Sequence, residues 1–365
     1  MTNIDVAIIG AGAIGLAIGR SSAEKKFNTV VFEQEDSIGQ HTSTHGSGVI
    51  HSGIYYPKNS LKAILCLQGR NLLYKYADEK SIPCKRIGKI IVATNEEQIS
   101  RLKKLHQQGI ANGVQDLEWL SKEKVQRFEP EIRAVAGLLS PSTGIIDVFS
   151  YLNSLKSDIN KAGGKVLTGK KVRSVNCKSD HFELIFADGQ TISSSYLINC
   201  AGLFAQKLTA NFVGFPRNKI PPSFFAKGHY FKLTTTCPFN HLIYPLPEPG
   251  GLGIHLTQKL DGIARFGPDV VWTDKIDYSF AKAREKEFYK AIRKYYPELP
   301  EGSLVADYVG IRPKLASQGS EEQDFLIQKP REHGISALIN LFGIESPGLT
   351  ASLAIAEYVT KALLN

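Results

Sequence analysis

The sequence predicts a mixed α/β fold of two domains, in which a domain of alternating strands and helices carries an inserted antiparallel-sheet domain. Three observations support this prediction. The first 33 residues follow a strand–turn–helix–strand pattern, prolines cluster between residues 216 and 249, and the last 55 residues return to a strand–loop–helix pattern. The chain of 365 residues is also longer than one hydrophobic core usually supports.

The N-terminal segment contains a complete β-α-β unit. The β-branched run of residues 4–9 has the length of a buried strand and leads directly into Gly10-Ala-Gly12-Ala-Ile-Gly15. Residues 16–26 predict a helix, and residues 29–33 predict a second buried strand that ends on an acid. This order of elements, rather than the glycines alone, indicates a Rossmann-type dinucleotide site.

Each residue of this motif has a physical task. Gly10 permits the tight turn after the strand, Gly12 allows the backbone to approach a pyrophosphate, and Gly15 lets the helix pack closely on the sheet. The free N–H groups at the helix N-terminus favour phosphate binding. Glu33, eighteen residues after Gly15, is placed to accept hydrogen bonds from the adenosine ribose.

The position of the motif favours FAD over a nicotinamide cofactor. The site begins at residue 4, and the sequence has no second GxGxxG motif for a nicotinamide partner. Near the C-terminus, a glycine-bearing turn precedes a helix predicted from about residue 350 to 364. The N-terminus of this helix is expected to approach the far end of an extended FAD, through the predicted cofactor-binding residues Gly343, Pro347, Gly348 and Leu349.

Further elements follow from hydrophobic periodicity and turn residues. Helices are predicted at 61–80, 96–108 and 149–162, and strands of the first domain at 165–167, 172–177, 182–186 and 191–200. Strands of the second domain are predicted at 88–94, 228–233 and 253–256.

The net charge and the cysteine content limit the classes of function that the protein can have. The net charge of +9 comes from basic residues spread along the chain, so we expect no nucleic-acid partner. A positive surface favours an anionic substrate and is compatible with peripheral contact with an acidic membrane. The five cysteines form no CxxC pair, and we expect reduced thiols and no metal site.

The chain shows no membrane-spanning or targeting signal. No apolar run reaches the 18 residues that suggest a transmembrane helix. Residues 1–5 lead straight into the first strand, without a basic region or a small-residue cleavage site. A cytoplasmic location is therefore expected, with any membrane contact at the inner face.

A stretch after the first unit carries a family resemblance. Residues 47–57, Ser-Gly-Val-Ile-His-Ser-Gly-Ile-Tyr-Tyr-Pro, closely resemble the L-2-hydroxyglutarate dehydrogenase group of the D-amino-acid-oxidase/glycine-oxidase superfamily of FAD enzymes. Further similar segments, which together cover nearly the whole chain, lie at 60–63, 140–147, 199–203, 244–247, 253–257 and 310–313.

The resemblance implies a discontinuous layout and a reaction. The FAD-binding domain would take residues 1–80, 140–215 and 305–365, and the substrate-binding domain residues 81–139 and 216–304. The implied reaction is oxidation of a small 2-hydroxy acid to the 2-oxo acid by hydride transfer to flavin N5, with L-2-hydroxyglutarate as the expected substrate. The alternative is an amino acid or amine oxidase of the glycine/sarcosine type, and dioxygen, a quinone or a carrier protein all remain open as electron acceptor.

Two departures from the family pattern leave the substrate open. Gly46 stands where the family has asparagine, and the segment Lys227-Gly228-His229-Tyr230 stands where the family has an Arg-Gly-Asp-Tyr-like sequence. A third hypothesis is a flavin-fold binding protein that catalyses no reaction. Loss of the motif histidines and arginine would have favoured this hypothesis, but all of these residues are present.

Oxidising an alcohol requires a base for the hydroxyl proton, and histidine suits this role near neutral pH. His255 and His51 lie in the matched segments, and both remain candidates for the base. The alternative for each is a structural or FAD-contacting histidine. Arg312 is predicted to anchor the substrate carboxylate, because a guanidinium matches a carboxylate with two hydrogen bonds. The alternative for Arg312 is a structural ion pair.

The resemblance implies further binding residues. Tyr55, Tyr56 and Lys62 are weaker candidates for the substrate pocket, and an exposed helix lysine is the alternative for Lys62. The remaining residues predicted to contact FAD are Thr44, His45, Ser47, Gly48, Val172, Ala201, Gly202 and Gly310.

Overall fold

The computed structural model describes residues 4–246 and 253–363. Its α-helices are α1 Ala13–Glu24, α2 Leu61–Glu79, α3 Ile99–Ala111, α4 Lys122–Phe128, α5 Val148–Lys161, α6 Ala205–Thr209, α7 Glu285–Ile292, α8 Pro330–His333 and α9 Gly348–Leu363. Its strands are β1 Ile4–Ile9, β2 Thr29–Phe32, β3 Val49–Ile50, β4 Cys84–Lys85, β5 Lys89–Ala93, β6 Glu118–Ser121, β7 Ala136–Ser140, β8 Gly144–Ile146, β9 Lys165–Leu167, β10 Val172–Cys177, β11 Phe182–Phe186, β12 Thr191–Asn199, β13 Phe212–Val213, β14 Phe224–Leu233, β15 Leu242–Pro245, β16 Leu256–Gln258, β17 Ala264–Phe266, β18 Val271–Thr273, β19 Leu304–Lys314, β20 Leu326–Gln328 and β21 Leu338–Phe342.

The first sheet contains the N-terminal unit. Strands run in the order β13-β10-β11-β12-β1-β2-β9, and β21 joins β12 and carries β20. β1 pairs in parallel with β2 and β12, and β12 pairs in parallel with β21. β10, β11 and β12 form an antiparallel layer at one side. The parallel core of this sheet places the ends of β1 and β2 at one edge, where a nucleotide site is expected.

The second sheet is mostly antiparallel. Its order is β18-β14-β17-β16-β15-β5-β7-β6, and β19 pairs with β14 along its whole length. β15 and β5 form a parallel pair within it. The predicted layout assigned residues from 305 onward to the other domain, but β19 lies in this sheet. The sequence around residue 305 shows a strand but does not show which distant strand it pairs with.

Helices α1, α2, α5 and α9 cover the first sheet. Their apolar faces share one core with β1 and β2, which includes Val6, Ile8 and Leu16. α2 and α9 cross closely, because a Cβ at Gly69 would overlap the backbone at Thr350 and Ala351. This contact fixes the N-terminal half of α9 against the chain that follows β3.

Helix starts are set by side-chain caps that the sequence displays. The Ser60 hydroxyl accepts a hydrogen bond from the backbone N–H of Ala63 at the start of α2, and the Asp147 carboxylate accepts one from Ser150 at the start of α5. Such caps typically contribute about 1 kcal/mol of stability each.

One predicted strand differs in its bounds. The strand expected at 253–256 is β16, Leu256–Gln258, so Gly253, Ile254 and His255 precede the strand. Gly253 has a left-handed φ of 78°, which interrupts extended backbone at this point. His255 therefore lies on a loop end rather than on a strand.

No helix of the described residues is long and apolar enough to cross a membrane.

Candidate active site

A cleft of about 750 Å³ runs between the two sheets. Its walls include the glycine-rich turn after β1 at one end and residues of the second sheet at the other. A small sheet of β3, β8 and β4 lies beside it, and the segment after β3 enters the cleft at His51. The cleft therefore joins the predicted nucleotide site to the predicted reaction site.

The glycine-rich turn has the packing that the motif predicts. Gly10 has a φ of 105°, and a Cβ there would lie 2.5 Å from the carbonyl oxygen of Cys200. A Cβ at Gly15 would overlap the carbonyl oxygen of Gly10, so Gly15 serves helix packing and does not line the cleft. Gly12 does line the cleft. The Ser43 hydroxyl accepts a hydrogen bond from the N–H of Ala13 at 3.0 Å, a contact that the motif did not reveal.

Glu33 is held in place at the end of β2. Its carboxylate accepts hydrogen bonds from the N–H of Ala11 at 2.7 Å and of Glu35 at 3.0 Å. The side chain is buried yet still lines the cleft. A fixed acceptor at this place fits the hydroxyls of a ribose, and the start of α1 fits the phosphates.

The other predicted cofactor residues divide into two groups. The cleft is lined by His45, Ser47, Gly48, Val172, Ala201, Gly202, Gly310, Pro347, Gly348 and Leu349. Thr44 does not line the cleft, because its hydroxyl donates to the carbonyl oxygen of Gly39 at 2.6 Å. Gly343 also lies outside the cleft wall, where it packs against Leu315. Direct FAD contact at Thr44 and Gly343 is therefore not supported by their positions.

The second helix N-terminus lies where the sequence placed it. The helix α9 begins at Gly348, and Ser346, Pro347 and Gly348 all line the cleft. A long cleft with a helix N-terminus towards each end and a ribose acceptor near one end fits an extended dinucleotide such as FAD.

His51 and His255 both line the far end of the cleft. The His255 ring stacks on the Tyr244 ring with centroids 3.6 Å apart and an interplanar angle of 11°. His51 has its backbone N–H fixed by the Thr350 hydroxyl at 3.0 Å, and its Nε2 lies 3.2 Å from the Ser346 hydroxyl. The two predicted histidines are thus brought together, with His51 held by the turn before α9.

The surroundings of His51 keep it neutral. Burial, with added repulsion from Lys89 and His255, lowers the pKa of His51 to about 3. Its Nδ1 is buried and has no hydrogen-bond partner among the described residues. A neutral imidazole can accept a proton, although the lowered pKa makes His51 a weaker base than an exposed histidine.

Arg312 lines the cleft and is fixed by backbone carbonyls. Its Nε donates to Ala226 at 3.3 Å, and its Nη2 donates to Lys227 at 3.3 Å and Asp269 at 2.8 Å. No described carboxylate lies within ion-pair distance, so the alternative of a structural ion pair is not supported. The Nη1 group has no such carbonyl contact and is left to meet an anion.

The structure contradicts both of the roles predicted for Lys62. It is neither in the cleft wall nor exposed, since only 2% of its side chain is accessible. Its Nζ lies 2.9 Å from Glu322 and 3.5 Å from Glu345, and Lys314 also contacts Glu345 at 2.8 Å. With its charge already paired, Lys62 is a structural cation that helps to fix the turn before α9.

Tyr56 is buried and Tyr55 is half-buried, and neither of them lines the cleft. The Tyr56 hydroxyl hydrogen-bonds with Ser346, whereas the buried Tyr55 hydroxyl has no partner among the described residues. Contact between substrate and Tyr56 is therefore not supported, and Tyr55 borders the reaction end through its neighbours.

Sequence reasoning missed two residues that the site depends on. Ser346 lies inside the glycine-bearing turn near the C-terminus, but its partner His51 is 295 residues away in sequence. Lys89 opens a strand whose residues are all buried. A lysine at the start of such an apolar run was the available signal.

Three further features of the chain concern thiols, metal ligands and charge. All five cysteines are unpaired. No cluster of three or more potential metal ligands occurs among the described residues. Basic residues at the nucleotide end of the cleft are Lys170, Lys171, Arg173 and Lys207.

Comparison with known families and proteins gives consistent results. A family model described as "DAO: FAD dependent oxidoreductase" matches residues 5–362. The L-2-hydroxyglutarate dehydrogenase of Arabidopsis thaliana, a mitochondrial protein, is 41% identical over 99% of this chain and 83% of its own length. The corresponding human protein is 29% identical over 98% of this chain and 88% of its own length.

Solved structures show the same fold. The dithionite-reduced L-α-glycerophosphate oxidase of Mycoplasma pneumoniae, with FAD bound, matches with a TM-score of 0.90 and 25% identity over 100% of this chain and 96% of that chain. The glycine oxidase of Geobacillus kaustophilus matches with a TM-score of 0.85 and 20% identity, over 100% and 95% of the two chains.

Proposed function

The chain belongs to the DAO family of FAD dependent oxidoreductases, and on this premise we propose that it oxidises L-2-hydroxyglutarate to 2-oxoglutarate. The observation that carries the proposal is that a neutral imidazole, His51, and Arg312, which has no carboxylate partner among the described residues, face one cleft. An alcohol that carries a carboxylate needs both groups. The similarity to relatives named L-2-hydroxyglutarate dehydrogenase supports this choice of substrate.

The residues present fit FAD. Gly12 and the start of α1 would hold the pyrophosphate, Glu33 would accept hydrogen bonds from the ribose, and the start of α9 would lie near the flavin. When bound, FAD supplies the acceptor for the hydride that leaves C2 of the substrate.

The chain's own residues supply position and proton transfer. Arg312 binds the carboxylate next to the reacting carbon through its Nη1 group. His51 accepts the hydroxyl proton on its neutral imidazole, which lets the hydroxyl become the carbonyl as the C2 hydrogen departs with its electron pair. Tyr244 and His255 form the stacked wall beside them.

The proposed substrate is tested by anaerobic reduction of the purified protein, followed at the visible flavin band. L-2-hydroxyglutarate should bleach this band, whereas glycine, sarcosine and D-amino acids should not. Bleaching by an amine alone would make the protein an amine oxidase, and bleaching by L-α-glycerophosphate alone would assign it to the chemistry named for the Mycoplasma enzyme. Reoxidation by dioxygen or by a quinone then identifies the acceptor class.

Replacing Ser346 with alanine is expected to lower kcat about fivefold, because one neutral hydrogen bond contributes about 1 kcal/mol and this hydroxyl holds His51. The rate of anaerobic flavin reduction at saturating substrate measures the effect. Ser346→Thr keeps the hydroxyl and should stay within twofold of the wild-type rate. An equal loss in both variants would contradict a role through the hydroxyl.

A further inference from the structure

The orientation of the Arg312 guanidinium depends on one short connection in the second sheet. Residues 267–270 link β17 to β18, and Asp269 lies in this connection. The backbone carbonyl of Asp269 accepts a hydrogen bond from Arg312 Nη2 at 2.8 Å, the shortest of the three that hold the guanidinium. Asp269 is not part of the cleft wall. An effect of Asp269 on the substrate would therefore pass through Arg312.

The side chain of Asp269 is itself held by three donors. Its Oδ1 accepts hydrogen bonds from the backbone N–H of His229 at 2.7 Å and from His229 Nδ1 at 2.9 Å. Its Oδ2 accepts one from Arg284 Nε at 2.9 Å. Only 6% of the Asp269 side chain is accessible. Hydrogen bonds to an ionised group are stronger than neutral ones, so these contacts hold the buried carboxylate in one orientation.

The surroundings of Asp269 keep it ionised. Burial by itself would raise the pKa of Asp269, but the hydrogen bonds from His229 and the charge of Arg284 hold that pKa below its usual value. An ionised carboxylate only accepts hydrogen bonds, so the proton between the two side chains is on His229 Nδ1. The charge of Asp269 is therefore part of what fixes residues 267–270.

Gly228 brings this connection into contact with the anchor. A Cβ on Gly228 would lie 2.6 Å from Pro268 Cβ, 3.1 Å from Arg312 Nη2 and 3.2 Å from the carbonyl oxygen of Asp269. Gly228, Pro268 and Arg312 all line the cleft. Groups packed this closely cannot move independently. A displacement of residue 269 would therefore reach both the guanidinium and the cleft wall.

Arg284 connects Asp269 to the core of the second domain. Arg284 directly precedes α7, and its Nη2 lies 2.7 Å from a carboxylate oxygen of Glu287 in the first turn of that helix. Phe280, on the same segment, packs edge-on against the His229 ring with centroids 5.1 Å apart. α7 in turn packs into the hydrophobic core of the second sheet. The orientation of the anchor is thus tied to a rigid part of the fold.

We propose that Asp269 is a positioning residue for the substrate. With its carboxylate held by His229 and Arg284, it fixes the carbonyl that orients the Arg312 guanidinium, and so sets the affinity for the substrate carboxylate. A guanidinium binds a carboxylate through two directed hydrogen bonds, so a rotated plane binds less well although the charge remains. The inference rests on the proposed function, since it takes Arg312 as the anchor.

The test replaces Asp269 with asparagine in the FAD-bound enzyme. This change keeps the shape of the side chain but removes its charge and turns one acceptor into a donor. KM for L-2-hydroxyglutarate should rise about tenfold, as for loss of a hydrogen bond to a charged group. The value of kcat should stay within about threefold, because the anchor binds substrate and transition state alike. Glutarate, which has no hydroxyl to oxidise, should bind about tenfold more weakly when titrated against the flavin band.

A double variant shows whether the effect passes through Arg312. In an Arg312→Ala background, Asp269→Asn should change KM and glutarate binding less than about twofold, because an effect that acts through a side chain is lost with it. A further tenfold loss in that background would overturn the inference. A wild-type KM in Asp269→Asn alone would also overturn it.

Glu129→Gln is the matched control. Glu129 is another buried carboxylate that accepts from the backbone N–H of a histidine, His241, at 2.8 Å and from its Nδ1 at 2.6 Å, but it lies outside the cleft wall. Its replacement should lower the unfolding temperature and leave KM and glutarate binding at their wild-type values. An equal rise of KM in Glu129→Gln would reduce the Asp269 effect to a general loss of order and overturn the inference.

Arg284→Ala decides the question if Asp269→Asn does not fold. The Arg284 side chain is 31% accessible and lies outside the cleft wall, so its removal leaves the core intact. Loss of this one holder should raise KM about threefold with kcat unchanged, and an unchanged KM would contradict the proposal. Failure of the wild-type enzyme to oxidise L-2-hydroxyglutarate would instead overturn the proposed function.

Discussion

Replacing His51 with alanine is expected to lower kcat about a thousandfold, within the range that general-base catalysis contributes, while the protein keeps its FAD. The low pKa of His51 makes it neutral at physiological pH, so the wild-type residue accepts the hydroxyl proton without first losing one. Its ring is fixed by Ser346, and its backbone by Thr350. Stopped-flow measurement of anaerobic flavin reduction at saturating substrate gives the rate.

His255→Ala is the matched comparison. Its ring stacks on Tyr244 and is nearly buried, so its loss is expected to disturb the wall and to cost about tenfold. If His255→Ala shows the thousandfold loss and His51→Ala stays near wild type, the base is His255. Bound flavin is measured in each variant, so that loss of cofactor is not taken for loss of the base.

The nucleotide end of the site was predictable because its chemistry is local in sequence. Gly10 and Gly12 lie in the turn before α1, Gly15 lies in the first turn of α1, and Glu33 directly follows β2. The closest contact of Gly15 is with Gly10 in the same unit, whereas Gly10 approaches Cys200 and Gly12 approaches Ser43. The periodicity of the surrounding strands and helix is likewise a short-range property.

The reaction end depends on contacts between distant segments, and there the sequence was less informative. Lys62 and Lys89 both interrupt apolar surroundings, and sequence pattern does not tell them apart. Lys62 is neutralised by Glu322 and Glu345, more than 250 residues away, whereas the aromatic wall of Lys89 includes Tyr244 from another strand. The partner, rather than the lysine, decides which of the two has its charge paired by carboxylates.

The assignment of β19 shows the same limit at the level of the fold. Its strand character is local, but its pairing with β14 spans about 80 residues of chain. This pairing is what brings Arg312 to the cleft, since residue 312 lies opposite Ala226 in the ladder. The sequence motif therefore identified Arg312, whereas the strand pairing in the sheet determines where Arg312 lies.

Arg312 is held before any substrate arrives. Three backbone carbonyls, of Ala226, Lys227 and Asp269, accept hydrogen bonds from its Nε and Nη2. These contacts fix the guanidinium plane and leave Nη1 for the carboxylate. Such pre-orientation lowers the conformational entropy lost on binding and makes the anchor specific in direction as well as in charge.

Replacing Arg312 with alanine is expected to raise KM for the hydroxy acid by a factor of 10² to 10³, because loss of one partner of a buried charge pair costs about 2–5 kcal/mol. Arg312→Lys keeps the charge but not the forked geometry, and should recover only part of this loss. Arg265→Ala removes an ion pair with Asp307 in the same sheet, outside the cleft, and should lower the unfolding temperature while KM stays near wild type. Steady-state kinetics on FAD-loaded variants give KM, and the flavin content of each shows whether the cofactor site has survived. A wild-type KM in Arg312→Ala would exclude Arg312 as the anchor of the substrate carboxylate.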